Sequence, residues 1–179
     1  MSVAAEATNS NARALRILFV CMGNICRSPL AEGIFLHQAK ARGLSQRFEV
    51  DSCGIGDWHI GHAADVRSQA VAEKNGITLA CRSRQVTRED FDDYDWILAM
   101  DKQNERDLKS LAYDPELHHG KIRLMRDFDP AAEKGSEVPD PYYGGPDGFD
   151  IVYAMLDRAC AGFLDHLEST SARENGLAS

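Results

Sequence analysis

Cys21 and Arg27 stand six positions apart in Val20-Cys21-Met22-Gly23-Asn24-Ile25-Cys26-Arg27-Ser28-Pro29. A thiolate is a strong nucleophile, and a planar guanidinium can grip two oxygens of a phosphoryl group at once. The apolar run Ile17 to Val20 reads as a short buried strand leading to the cysteine. Gly23 and Asn24 tolerate positive φ, Ser28 suits a helix N-cap, and Pro29 suits a first helical position. Leu30, Ala31, Ile34 and Phe35 then continue at helical spacing. A loop between a strand's end and a helix's start aims backbone N–H groups at one point, and the helix dipole behind them makes an anion site. A cysteine there is expected as a thiolate at neutral pH, because helix N-termini and cations lower a cysteine pKa from about 8.5 to roughly 3.5–7.5. The alternative is a buried structural cysteine before a turn with a solvated Arg27; the strand-loop-helix setting argues against it.

Attack on phosphorus expels an alkoxide or phenoxide, which needs a proton from a general acid elsewhere. Asp140, in Val138-Pro139-Asp140-Pro141-Tyr142-Tyr143, is the best candidate. Prolines on both sides stiffen the backbone and leave the carboxyl on a loop able to reach a cleft. Taken alone, the same residues also fit an ordinary Asp-Pro turn.

Elements able to position these groups follow along the chain. Strands are predicted over 14–20, 48–52, 96–100 and 122–125. The apolar run Trp96 to Met100 marks a strand covered on both faces. Helices are predicted over 29–43 with Gly43 as C-cap, over 63–75 ending at Gly76, and over about 104–112. A short capped helix is expected at 87–91, and a long one over 147–167 with an apolar stripe from Phe149 to Leu167. Residues 129–148, with Pro130, Pro139, Pro141 and Pro146, read as a long functional loop. Alternating strands and helices imply an α/β fold, a single doubly wound domain whose four-stranded parallel sheet carries helices on both faces. Ligands of such sheets sit at the carboxyl ends of strands, where the Cys21 loop lies. The domain is placed at 14–168, between a flexible extension at 1–13 and a frayed polar tail at 169–179.

The chain of 179 residues has 44% hydrophobic and 27% charged content, ordinary for a globular protein that buries a core without disulfides. A net charge of −8 argues against nucleic acid or an anionic membrane as partner. An anionic substrate must therefore be drawn by a local positive site. Cysteines 21, 26, 53, 81 and 160 show no metal-finger spacing and read as thiols in a reducing compartment. Residues 1–14 do not read as a signal peptide, and no apolar stretch approaches transmembrane length, so a cytoplasmic protein is expected. His37, His59, His62, His118, His119 and His166 form no metal spacing, and the chemistry calls for no metal and no cofactor.

The segment Val20 to Pro29 resembles the signature loop of the low-molecular-weight protein tyrosine phosphatases. Asp51-Ser52, Gly56-Asp57-Trp58, Arg84-Gln85-Val86, Met100-Asp101 with Asn104, and Asp140-Pro141-Tyr142 are similar to family landmarks in the same order. The resemblance spans about 17–167 and implies the flavodoxin-like fold of that family. It implies a phosphocysteine on Cys21, Arg27 on the phosphoryl group and Asp140 as general acid and then base. Met22, Gly23, Asn24, Ile25, Cys26 and Ser28 would form the substrate-binding loop, with Trp58 and Tyr142 lining the cleft. Tyr143 is a weaker candidate for that wall. Asn24 and Ser28 would hold the loop's shape, the Ser28 hydroxyl bonding the Cys21 thiolate. One departure concerns Cys81, where relatives usually carry a histidine bonded to the loop asparagine. A thiol is a weak partner, so either the loop is looser here or another group supports Asn24.

Cys26 is close enough to Cys21 for a reversible bridge under peroxide, and equally suits a small buried side chain. The expected partner is a phosphotyrosine protein, a tyrosine kinase being one candidate, acted on by a monomer or weak dimer. The runner-up function is a thiol-dependent arsenate reductase of similar fold. That chemistry needs clustered downstream cysteines, whereas Cys53, Cys81 and Cys160 are scattered. A catalytically silent phosphate-binding module is the alternative from another class.

Overall fold

The computed structural model describes residues 13–176. In chain order the elements are β1 (Leu15–Cys21), α1 (Arg27–Ala41), β2 (Phe48–Gly54), α2 (Val66–Lys74), α3 (Asp90–Asp93), β3 (Trp96–Ala99), α4 (Lys102–Leu111), α5 (Pro115–His118), β4 (Ile122–Leu124) and α6 (Gly148–Gly176). All strand pairs are parallel and the sheet order is β2-β1-β3-β4. The chain steps from β1 to β2 and then back past β1 to β3. The topological switch therefore lies between the carboxyl ends of β1 and β3, where such sheets bind ligands.

The continuous apolar character of β1 follows from its central position, because both faces of it are covered. Ile17 and Phe19 face α1 and α6, packing with Leu30, Ile34, Phe35, Leu156 and Phe163. Leu18 and Val20 face the other side, with Phe91 of α3, Leu108 of α4 and Ile97 and Ala99 of β3. The apolar stripe of α6 is buried from Phe149 to Leu167, with only Tyr153 partly open.

Helix ends show where local signals held and where contacts overrode them. Gly43 (φ 71°) follows α1, with Gly43 N–H to Lys40 O at 3.0 Å and Leu44 N–H to Ala39 O at 2.8 Å. Gly76 (φ 77°) closes α2 in the same way. At the other end of α1, Ser28 is not the cap and Pro29 is not the first residue. The helix begins at Arg27, and the Ser28 hydroxyl is turned to Cys21 instead. Pro29 still falls in the first turn, where a missing N–H costs no helical bond. The α2 helix starts at Val66 rather than Ala63, because the Asp65 carboxylate accepts the Arg67 N–H at 2.8 Å. The short helix expected at 87–91 forms at Asp90–Asp93, with Asp90 accepting the Thr87 N–H at 2.7 Å. The Asp101 carboxylate caps α4, which starts at Lys102, two residues earlier than expected.

The polar segment from Ser169 is helical as far as Gly176 rather than frayed. Ser169 Oγ and Thr170 Oγ1 donate back to Asp165 O and His166 O at 2.8 and 2.9 Å, so these hydroxyls are satisfied within the helix. The extension at 1–13 lies outside the described residues apart from Arg13, whose guanidinium meets Asp95 at 2.6 and 2.8 Å.

Candidate active site

Cys21 is the last residue of β1 and pairs with Gly54 at the end of β2. The loop from Cys21 to Arg27 is held by its carbonyls. Ile55 N–H donates to Cys21 O at 3.0 Å and Gly56 N–H to Met22 O at 2.9 Å. Ser83 Oγ donates to Gly23 O, Asp65 N–H to Ile25 O and Ser68 Oγ to Cys26 O at 3.1, 2.7 and 3.1 Å. In a trans peptide the N–H points opposite to its C=O. With these carbonyls turned outward, the amides of Met22, Gly23, Asn24, Cys26 and Arg27 are turned inward, toward Cys21. The Asn24 N–H donates to Cys21 Sγ at 3.3 Å, and Ser28 Oγ lies 3.0 Å from the same sulfur.

Two glycines allow this packing. A side chain at Gly54 would meet the backbone of residues 22–24 at 3.0–3.1 Å. One at Gly56 would collide with the Trp58 ring, which lies across it.

Asn24, at φ 55°, is the described non-glycine residue in the left-handed region. Its Nδ2 donates to Ser28 Oγ at 2.8 Å and Ser52 Oγ at 3.0 Å, while its Oδ1 accepts the Arg84 N–H at 3.0 Å. Ser52 in turn donates to Glu32 Oε2 at 2.5 Å. Support for Asn24 therefore comes from Ser52 and Arg84. Burial and the Glu32 carboxylate push the Cys81 thiol up to about 12.

Arg27 is 2% exposed, and its guanidinium is fixed in direction. Nη1 donates to Asp101 Oδ2 at 2.7 Å and Val138 O at 3.0 Å, and Nη2 lies 3.6 Å from Asp140 Oδ2. Burial works against this charge, but Cys21, Asp101 and Asp140 together hold its pKa above the ordinary arginine value. Val138, fully buried, anchors the proline loop through its N–H to Met100 O at 2.8 Å. The next residues then carry Asp140 to the cleft, where its Oδ1 accepts the Tyr142 N–H at 3.1 Å.

The resulting cavity, about 390 Å³, has Cys21 with Met22, Gly23, Ile25, Cys26 and Arg27 at its base. Trp58, His59, Tyr142 and Tyr143 form the walls, and Asp140 stands beside Arg27. Asn24 and Ser28, expected among the binding residues, are buried behind the loop and do not line the cavity; they shape it from beneath. His59 was missed. Its ring packs where a side chain on Gly23 would be, 3.1 Å from that ideal Cβ. Its place directly after Trp58 in a glycine-bounded loop was the available signal. Trp58 is 65% exposed and Tyr143 92%, so the mouth carries open aromatic surface. Cys26 sits at the cavity base with its thiol pushed up to about 12 by burial and by Asp65.

Comparison with known proteins agrees with this geometry. The family model described as low molecular weight phosphotyrosine protein phosphatase matches residues 16–173. A low molecular weight protein-tyrosine-phosphatase of Streptomyces coelicolor is 43% identical over 150 residues, covering 83% of this chain and 91% of that one. The low molecular weight phosphotyrosine protein phosphatase of Sus scrofa is 39% identical over 149 residues, covering 83% and 93%. A crystal structure of a protein tyrosine phosphatase from Entamoeba histolytica, with Hepes in its active site, superposes with a TM-score of 0.83 at 38% identity. That match covers 88% of this chain and 99% of the other. These relatives do not favour the arsenate reductase alternative. With a model match over nearly its whole length and relatives near 40% identity on both sides of it, the chain belongs to the low molecular weight phosphotyrosine protein phosphatase family, hydrolases whose chemistry runs through a phosphocysteine.

Proposed function

We propose that Cys21, Arg27 and Asp140 carry the hydrolysis of phosphotyrosine in proteins, and of small aryl phosphates. The observation that supports this reading best is the meeting of three groups at one cavity: the Cys21 sulfur, the fixed Arg27 guanidinium and the Asp140 carboxyl 3.6 Å from it. The Cys21 thiolate attacks phosphorus and the P–O bond to the phenol breaks. Asp140 gives its proton to the departing oxygen. Arg27 and the inward amides hold the charge on the equatorial oxygens. Asp140, now a carboxylate, takes a proton from water, whose oxygen displaces the cysteine and releases phosphate. Met22, Gly23, Ile25 and Cys26 contact the phosphoryl group through the loop, Asn24 and Ser28 shape that loop, and Trp58 and Tyr142 flank the aromatic ring.

This reading has the chain act as a monomer or weak dimer, since Cys21, Arg27 and Asp140 meet without a residue from a second copy. Five free thiols support a reducing, cytoplasmic setting, and no helix among the described residues is long and apolar enough to cross a membrane. The partner is a phosphotyrosine protein, with a tyrosine kinase as one candidate.

Phosphate release from a phosphotyrosine peptide, with chelator present, tests the reading by comparing wild type with Cys21→Ser. Turnover that survives chelator and disappears in the variant is expected. Folded, reduced wild type that releases no phosphate would overturn it.

A further inference from the structure

The wall formed by Tyr142 has a second hollow behind it. The Arg67 guanidinium stacks 5.1 Å from the Tyr142 ring centroid and 4.6 Å from that of Phe149, and its Nη1 donates to Tyr142 O at 3.1 Å. Tyr142 lines the Cys21 cavity, whereas Arg67 and Phe149 line a separate cavity of about 330 Å³. One guanidinium layer therefore stands between the two. Ala70, Val71, Pro146 and Phe149 give the second cavity an apolar lining, and Gly144 and Gly145 leave one side of it without side chains. Its charged groups are already matched within the chain. Lys74 Nζ lies 3.1 Å from Asp150 Oδ1, and Arg67 Nη2 lies 2.9 Å from Asp65 Oδ2. A hollow with apolar lining and paired charges favours an apolar side chain over a phosphate or a carboxylate, since either anion would have to compete with Asp65 and Asp150 for the two cations.

We propose that this cavity is a substrate subsite that takes a bulky apolar side chain of the phosphotyrosine protein. With the Tyr142 and Phe149 rings 5.1 and 4.6 Å from the Arg67 guanidinium, the two walls stand within about 10 Å, so the residue taken stands about two or three positions from the phosphotyrosine, at ~3.4 Å per extended residue. The proposal rests on the phosphatase reading of the Cys21 cavity and adds a sequence preference to it.

A phosphotyrosine peptide with a glycine and serine background, in which one leucine is moved through the flanking positions, tests the subsite. Leucine at one position two or three residues away is expected to raise kcat/KM roughly 10-fold over glycine there, the effect of burying most of one such side chain. Ala70 is exposed on α2, so Ala70→Trp fills the cavity from outside the core and should bring that ratio to about one. Ala70→Gln, a gentler change, should reduce it in part. p-Nitrophenyl phosphate is too small to reach past Arg67 and reports on the Cys21 centre alone. Wild type that hydrolyses it but prefers leucine nowhere, or a preference that survives Ala70→Trp, overturns the subsite and leaves the phosphatase reading standing. Absence of p-nitrophenyl phosphate turnover strikes the phosphatase reading and takes the subsite with it.

Discussion

Asn24 Oδ1 accepts the backbone N–H of Arg84 at 3.0 Å, a bond across sixty positions that holds a left-handed residue under the Cys21 loop. Together with Ser52 it satisfies the asparagine without a histidine at position 81. Ser52→Ala should therefore matter more than Cys81→His. The alanine removes an acceptor from Asn24 and a donor from Glu32, at a cost of about 1–3 kcal/mol. Thermal melts should show a loss of about 2–4 °C per kcal/mol, with a lower kcat. Cys81→His should change kcat less than about twofold. A large gain from histidine would mean that the loop is under-supported.

Arg27→Lys keeps a positive charge but not the fork, whose Nη1 holds Asp101 and Val138 while Nη2 faces Asp140. One ammonium cannot present two parallel donors to a phosphoryl group. The expected fall in kcat is about 10²–10³-fold, the scale of losing an oriented oxyanion donor. Steady-state kinetics on p-nitrophenyl phosphate decide this, and a fall confined to KM would count against the transition-state role.

Asp140→Asn removes a proton donor while preserving shape. A drop in kcat of about 10²–10⁴-fold is expected. The drop should be larger for phenyl phosphate than for p-nitrophenyl phosphate, because the more basic phenoxide depends more on protonation. Equal losses on both substrates would assign Asp140 to positioning Arg27.

Glu32 is held above the usual carboxylate range, first by burial and in part by Asp51, against the bond from Ser52. Its proton is therefore bound more tightly in the folded chain than in the unfolded one, where it leaves near pH 4.3. The stability this contributes is complete below that pH, is lost as pH rises through the folded pKa, and stays lost above it. Glu32→Gln keeps an acceptor for Ser52 and removes the titration. Denaturant melts should show the variant gaining on wild type between about pH 4 and 7. A constant difference across that range would exclude the linkage.

Peroxide treatment is expected to give a Cys21–Cys26 disulfide, read by mass spectrometry. Burial keeps the Cys26 thiol protonated up to about 12, so bridging should speed up with pH as the thiolate fraction grows. Cys21 sulfinic acid without a bridge would assign Cys26 a packing role only.

Much of this molecule is local, and the sequence by itself determined that part. The apolar run before Cys21, the glycines after α1 and α2, and the stripe of α6 act through neighbours a few residues apart, so periodicity and residue type were enough. The order of Cys21, Arg27 and Ser28 likewise places a sulfur, a guanidinium and a hydroxyl around one short loop. Only the tertiary structure decided how those groups are aimed. The parallel pairing of β1 with β3 brings Asp101 to Arg27 across seventy-four positions, and with Arg27 so held, α1 starts there and Ser28 is freed from capping. Partners of Asn24 come from β2 and from the segment at Arg84, His59 packs on Gly23, and Arg67 parts two cavities. Such contacts leave no periodic trace, because a side chain's partner across the sheet is set by strand order and register, which the separate segments encode only jointly.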